Sequence, residues 1–159
     1  MYENILIPTD GSEQATNAAK AGLALAADLG ASVHVLTVLG EFESRIVPIS
    51  GEQDELREEQ HEHGEEIVGA VADAAEELGV DATTSVSPGI VHKEIESYVE
   101  ERDIDLIVMG SRGLTNVEKA LLGSTADKVV RTLDIPTMVV HQTPEAWVDM
   151  DRDIHIAGW

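Results

Sequence analysis

The sequence predicts a doubly wound α/β fold: a five-stranded parallel sheet with helices on both faces. Three observations carry that reading. Five apolar runs alternate with four stretches of helical periodicity along the chain. Runs such as ILI and LIV are apolar at every position, as strands covered on both faces must be. A chain of 159 residues can bury one core without disulfide or metal staples, and is short for two.

Each element has its own signal. NILIP, Asn4 to Pro8, is the first strand. Ala15, Ala18, Ala19, Gly22, Leu25, Ala26 and Leu29 then share one helical face, and Gly30 supplies the stop. SVHVLTVL, Ser32 to Leu39, is the second strand, and EFESRIVPISGEQ after it reads as a loop. A long helix starts near Asp54. The stretch EQDELREEQHEHGEE carries eight acidic residues in fifteen, whereas Ile67, Val68, Val71, Ala74, Ala75 and Leu78 give only the second half an apolar face to pack on a sheet. DATTSVS is the third strand and IVHKEIESYVEER the third helix, with Val91, Ile95, Tyr98 and Val99 turned inward. DLIVMG, Asp105 to Gly110, is the fourth strand. Ser124 is the expected N-cap of a fourth helix that carries Ala126, Val129, Val130 and Leu133 on one face, and PTMVVH closes the pattern. These elements make a domain over residues 1–141. A tail over 142–159, which holds Trp147 and Trp159, has no periodicity and reads as a patch on that domain.

Composition narrows the function. There is no cysteine, so thiolate chemistry, disulfides and Cys-ligated metals are excluded. No long apolar stretch suits a signal peptide or a membrane span, which gives the reading of a soluble, cytoplasmic protein. A net charge of −21 repels nucleic acid and anionic membranes, and an aromatic content of 3% leaves few stacking platforms for single strands. So acidic a surface suits strong salt, where self-repulsion is screened, and folding that needs salt is the expectation. An ordinary acidic protein is the alternative.

Ligands of open α/β sheets bind beyond the carboxyl ends of the strands, where strand order reverses. With the order 3-2-1-4-5, PTDGS after the first strand and GSRG after the fourth line one crevice. Gly110 and Gly113 have no Cβ to block a ligand. Gly123 and Ser124 offer amides and a hydroxyl at a helix N-terminus, where the dipole favours an anion. Arg112, Lys119, Lys128 and Arg131 face only Glu118 and Asp127 nearby, a local excess of two positive charges in a strongly acidic chain. The dinucleotide GxGxxG pattern and the Walker lysine are both absent.

The spaced pattern Gly110, Gly113, Gly123, Ser124, with PTDGS and GIVHKEI, resembles the universal stress protein family of the ATP-binding type over Met1 to His141. That resemblance implies the same five-stranded sheet order. It implies ATP as the ligand, with adenine near Asp10 and the backbone of Val35, and ribose near Pro8 and Gly110. Phosphates are implied on Gly113, Gly123, Ser124 and the amide of Thr125, and Mg²⁺ can accompany a triphosphate, held mainly by its oxygens. It also implies a homodimer paired through the last strand. Residue by residue, other roles stay open: Asp10 can form an Asx turn, Thr9 and Ser12 can cap a helix, and Val35 is a core residue by type.

The histidines form no site. His61 and His63 are two apart on a helix, His34 and His141 lack a partner motif, and His92 at the start of the third helix reads as a solvated terminus, with approach to the crevice as the alternative. No Ser-His-Asp or HExxH arrangement marks a catalytic centre, and no residue is assigned as catalytic or as a metal ligand. The reading is therefore a nucleotide-responsive stress or signalling module with an unidentified protein partner. A slow ATPase or adenylate-handling hydrolase, and a stress protein that binds no nucleotide, are the alternatives.

Overall fold

A computed structural model of the chain describes residues 1–40, 52–112, 122–141 and 154–157. The loop EFESRIVPISGEQ up to residue 51, Gly113, Lys119, Trp147 and Trp159 lie outside the described residues. The elements run β1 (Asn4–Pro8), α1 (Glu13–Leu29), β2 (Ser32–Gly40), α2 (Glu52–Glu77), β3 (Ala82–Gly89), α3 (Val91–Glu101), β4 (Leu106–Gly110), α4 (Ser124–Thr132) and β5 (Thr137–Val140). The strands form one parallel sheet in the order β3-β2-β1-β4-β5, as the sequence predicts.

Alternation along the strands sorts the core into two layers. Ile5, Ile7, Val33, Val35 and Val108 pack with buried residues of α1 and α2, while Leu6, Leu36, Ile107 and Met109 pack with those of α3 and α4. The small residues of α1 let it lie close to the sheet. A Cβ at Gly22 would stand 2.8 Å from Ile7 Cδ1. The Ser12 side chain caps the start of α1 by accepting from Ala15 N, and Gly30, at φ 68°, ends it in the left-handed conformation.

At the opposite end of the sheet from the crevice, Asp105 clasps the chain start to β4: its Oδ2 accepts from Glu3 N at 2.7 Å and Asn4 N at 3.2 Å. The described part of the tail is not detached, because Ile156 is 3% exposed and joins the α1/α2 layer with Val140. Of the boundaries that differ from expectation, two are helix starts. α2 begins at Glu52, and Ser124 opens α4 instead of capping it. The N-cap is Gly123, extended at φ −67° and ψ 164°, whose carbonyl accepts the first helical bond from Asp127 N at 2.9 Å. Gly123 is held outside the helix by a bond of its own amide.

Candidate functional site

β1 and β4 are neighbours in the middle of the sheet, and the chain leaves them toward helices on opposite faces. The crevice beyond their carboxyl ends is therefore the switch point. Its first wall is the loop from Pro8 to Ser12. Pro8 is buried at the end of β1. Thr9, 6% exposed, donates its amide to Leu36 O at 2.8 Å, accepts from Thr37 Oγ1 at its carbonyl, and accepts from Gly11 N at its own Oγ1. Asp10 Oδ1 accepts from Ser12 N at 2.9 Å, an Asx turn. Gly11, at φ 76°, makes the reversal that a β-carbon would resist. The loop is thus braced by hydrogen bonds of its own and to β2.

Its second wall is the junction of β4 with α4. Gly110 sits so close to α1 that a Cβ there would stand 3.0 Å from the carbonyl carbon and oxygen of Gln14. The absent side chain makes room for α1. Ser111, 2% exposed, joins three elements: its amide donates to Val140 O at 3.0 Å, its carbonyl accepts from Gly123 N at 2.6 Å, and its Oγ lies 3.4 Å from Gln14 Oε1. Gly123 is expected to offer a free amide, and that expectation is corrected here: the amide is committed to Ser111. A Cβ at Gly123 would stand 3.1 Å from Arg112 Cα and Ser111 O, so the glycine lets α4 begin against the strand exit. Past it, the amides of Ser124, Thr125 and Ala126 precede the first intrahelical donor, Asp127, and have no acceptor within the helix. Amides in this arrangement, at the start of a helix, favour an anion in general.

Val35 is a second correction. Val33 N donates to Asp81 O at 2.8 Å, so odd residues of β2 turn their main-chain groups toward β3. Val35, paired with Thr84 and fully buried, spends its amide and carbonyl on that ladder. Even residues face β1, as Leu36 O does in accepting from Thr9 N. The β1 register stops at Pro8 opposite Leu36, whereas β2 runs on to Gly40. Val38 is therefore the residue whose main-chain amide and carbonyl face the gap beyond β1. The sequence carried one hint of it, a second strand longer than the first.

Among the described charged residues near the start of α4, one ion pair is direct. Arg131 Nε bonds Asp127 Oδ1 at 2.8 Å, an exposed pair in α4 whose hydrogen bond pushes the guanidinium's pKa further up. Arg112 is half-buried and Lys128 exposed. His34 does have a partner, far from the crevice: its Nδ1 lies 3.1 Å from the Tyr98 hydroxyl. Burial, then the Arg102 charge, lower the His34 pKa from its ordinary 6.5. Burial raises that of Tyr98, with Arg102 opposing.

A parallel 3-2-1-4-5 sheet with paired loops at its switch point defines a small doubly wound α/β protein of the one-crevice kind. The chain belongs to the universal stress protein family, whose profile matches residues 1–141. Universal stress protein MJ0531 of Methanocaldococcus jannaschii is 36% identical over 140 residues, covering 88% of this chain and 82% of that one. The solved structure of MJ0577 from the same organism superposes with a TM-score of 0.80 at 32% identity, covering 89% of this chain and 97% of that one. A universal stress protein solved in complex with cAMP shares the fold at a TM-score of 0.68 and 24% identity, covering 89% of this chain and 98% of that one.

Proposed function

We propose that this protein binds ATP in the crevice between the Pro8–Ser12 loop and the start of α4, and acts as a nucleotide-responsive stress or signalling module. The observation that carries the reading is the row of amides at Ser124, Thr125 and Ala126, which have no helical acceptor and stand at the switch point of the sheet. Phosphates take these amides, with Ser124 and Thr125 as contacts, and the family resemblance adds Gly113. Adenine takes the gap beyond β1, where the main chain of Val38 offers a donor and an acceptor side by side, a pattern that suits the N1 and N6 edge of a purine. Pro8, Thr9, Asp10 and the main chain of Gly110 line the ribose side. Mg²⁺, where present, is held chiefly by phosphate oxygens, since Asp10 Oδ1 is already used by Ser12 N. A homodimer formed through β5 carries the response to a protein partner.

The test separates the amide of Ser124 from its hydroxyl. Proline is favoured at the first helical position, and Gly123 before it is extended at ψ 164°, which a following proline accepts. Ser124→Pro therefore folds, and its ATP affinity by calorimetry is expected to fall at least tenfold, about 1.4 kcal/mol. Ser124→Ala, which keeps the amide, should stay within a few-fold of wild type. Equal ATP affinity in a folded Ser124→Pro protein would overturn the phosphate assignment.

A further inference from the structure

We infer that the amino-terminal half of α2 is an ionic-strength-responsive element that acts on the Pro8–Ser12 loop through Ile67. From Asp54 to His63 the helix has no buried residue; burial begins at Gly64. With no residue buried, these turns depend mainly on their own propensity and charge. The charges oppose them. Asp54 and Glu58, Glu55 and Glu59, Glu58 and Glu62, and Glu62 and Glu66 are all like-charged neighbours four residues apart, and Arg57 is the single fixed cation in this stretch. Acidic residues in the first turn are favoured by the helix dipole, but that benefit does not extend to Glu58 and beyond. His61 with Glu65 at 3.4 Å and His63 with Glu66 at 3.7 Å offset the repulsion only when the imidazoles are protonated.

Salt decides the balance because of a length. Side chains four apart on a helix stand roughly 5–6 Å from each other at Cβ. The Debye length is about 10 Å at 0.1 M salt and about 3 Å at 1 M. The repulsion is therefore felt at the lower concentration and screened at the higher. The consequence reaches the crevice through two contacts. Gly64 presses on the ends of β2 and β3, where a Cβ would stand 2.8 Å from Val86 Cγ1 and 3.2 Å from Leu39 Cδ2. One turn later, Ile67 seats on Gly11, whose Cβ position lies 3.1 Å from Ile67 Cδ1. When the charged turns unwind, the fraying end moves to this pair and the loop loses its outer wall.

Hydrogen exchange of the full chain without ligand tests this, at about 0.1 M and about 1 M KCl. Amides of 55–66 are expected to exchange at least tenfold faster at the lower concentration, peptides covering 9–12 to follow, and α1 and β4 to stay protected. Glu58→Lys with Glu59→Lys turns three of the four like-charged pairs into opposite ones, and should largely remove the salt dependence from both segments. Ile67→Ala should keep it in 55–66 and remove it from 9–12. Salt-independent exchange of 55–66, an unmoved loop in wild type, or a uniform loss of protection over the whole chain would each overturn the inference. An ATP arm rests on the proposed nucleotide site: affinity should rise with KCl in wild type and less so in Ile67→Ala. Absence of ATP binding at every KCl concentration would count against that site, and the exchange data would still decide the inference.

Discussion

The amide of Gly123 donates to the carbonyl of Ser111 at 2.6 Å, and this bond holds the start of α4 against the exit of β4. It makes Gly123 a structural residue first. Its φ of −67° suits any amino acid, so what excludes a side chain is space, with Arg112 Cα and Ser111 O 3.1 Å from a Cβ. Gly123→Ala is expected to cost about 1–3 kcal/mol in urea unfolding, the usual range for forcing one extra carbon into a packed site. A stability unchanged within error would show that the junction yields, and that the close approach matters little.

Two proline substitutions in β2 separate the ladder from the gap. Val35 gives its amide to the pairing with β3, so Val35→Pro removes a central sheet bond and should prevent folding. Val38 turns its amide to the gap beyond β1, so Val38→Pro should keep the circular dichroism spectrum of wild type. On the proposed site, that protein loses the donor to the base and binds ATP at least tenfold more weakly, about 1.4 kcal/mol. If both variants fold equally well, the assigned direction of the β2 main chain is wrong.

The contrast between Val35 and Val38 also shows what a sequence reveals. Strands such as Ile5 to Ile7 and Leu106 to Met109 were legible because a strand covered on both faces must be apolar at every position, and Gly30 was legible because the left-handed stop favours glycine. The direction of a main-chain amide is set by register with neighbouring strands, which no side chain announces. The two jobs of Ser111 and the commitment of the Gly123 amide are likewise main-chain facts. The pairing of His34 with Tyr98 spans 64 residues and follows only once β2 and α3 are packed. The spacing of the glycines pointed to the end of the sheet where β4 leaves, but not to the close approaches that Gly110 makes to α1 and Gly123 to the strand exit.

Association through β5 gives a third prediction. Pro136 O accepts from Ile107 N and Val140 O from Ser111 N, so alternation turns the main-chain groups of Thr137 and Val139 away from β4. β5 ends the sheet order, and Val130 on the nearby α4 is 47% exposed. An edge of this kind favours a two-fold mate. Light scattering in high salt should give a dimer for wild type and a monomer for Val139→Pro, which loses an outward donor and keeps the bonds to β4. A monomeric wild type at micromolar concentration would remove the proposal.

The His34 and Tyr98 pair predicts how stability depends on pH. The imidazole Nδ1 and phenol oxygen are 3.1 Å apart, the rings meet edge to face, and the Arg102 guanidinium lies 5.1 Å from the centre of the Tyr98 ring. Burial and that neighbouring cation hold the His34 pKa in the folded chain below its ordinary 6.5. As pH falls, the unfolded chain binds the proton first, so the unfolded state holds more protons and gains ground. The contribution of His34 is complete above the ordinary value and is lost as pH drops through it toward the lower folded value. His34→Phe keeps an aromatic ring against Tyr98 and cannot titrate, while every other histidine is common to both proteins and cancels in the difference. Urea midpoints of wild type and His34→Phe should therefore run parallel from about pH 8 to about pH 7 and diverge below about pH 6.5, with wild type falling faster. Curves that stay parallel down to about pH 5 would mean that His34 is as free to charge in the folded chain as in the unfolded one.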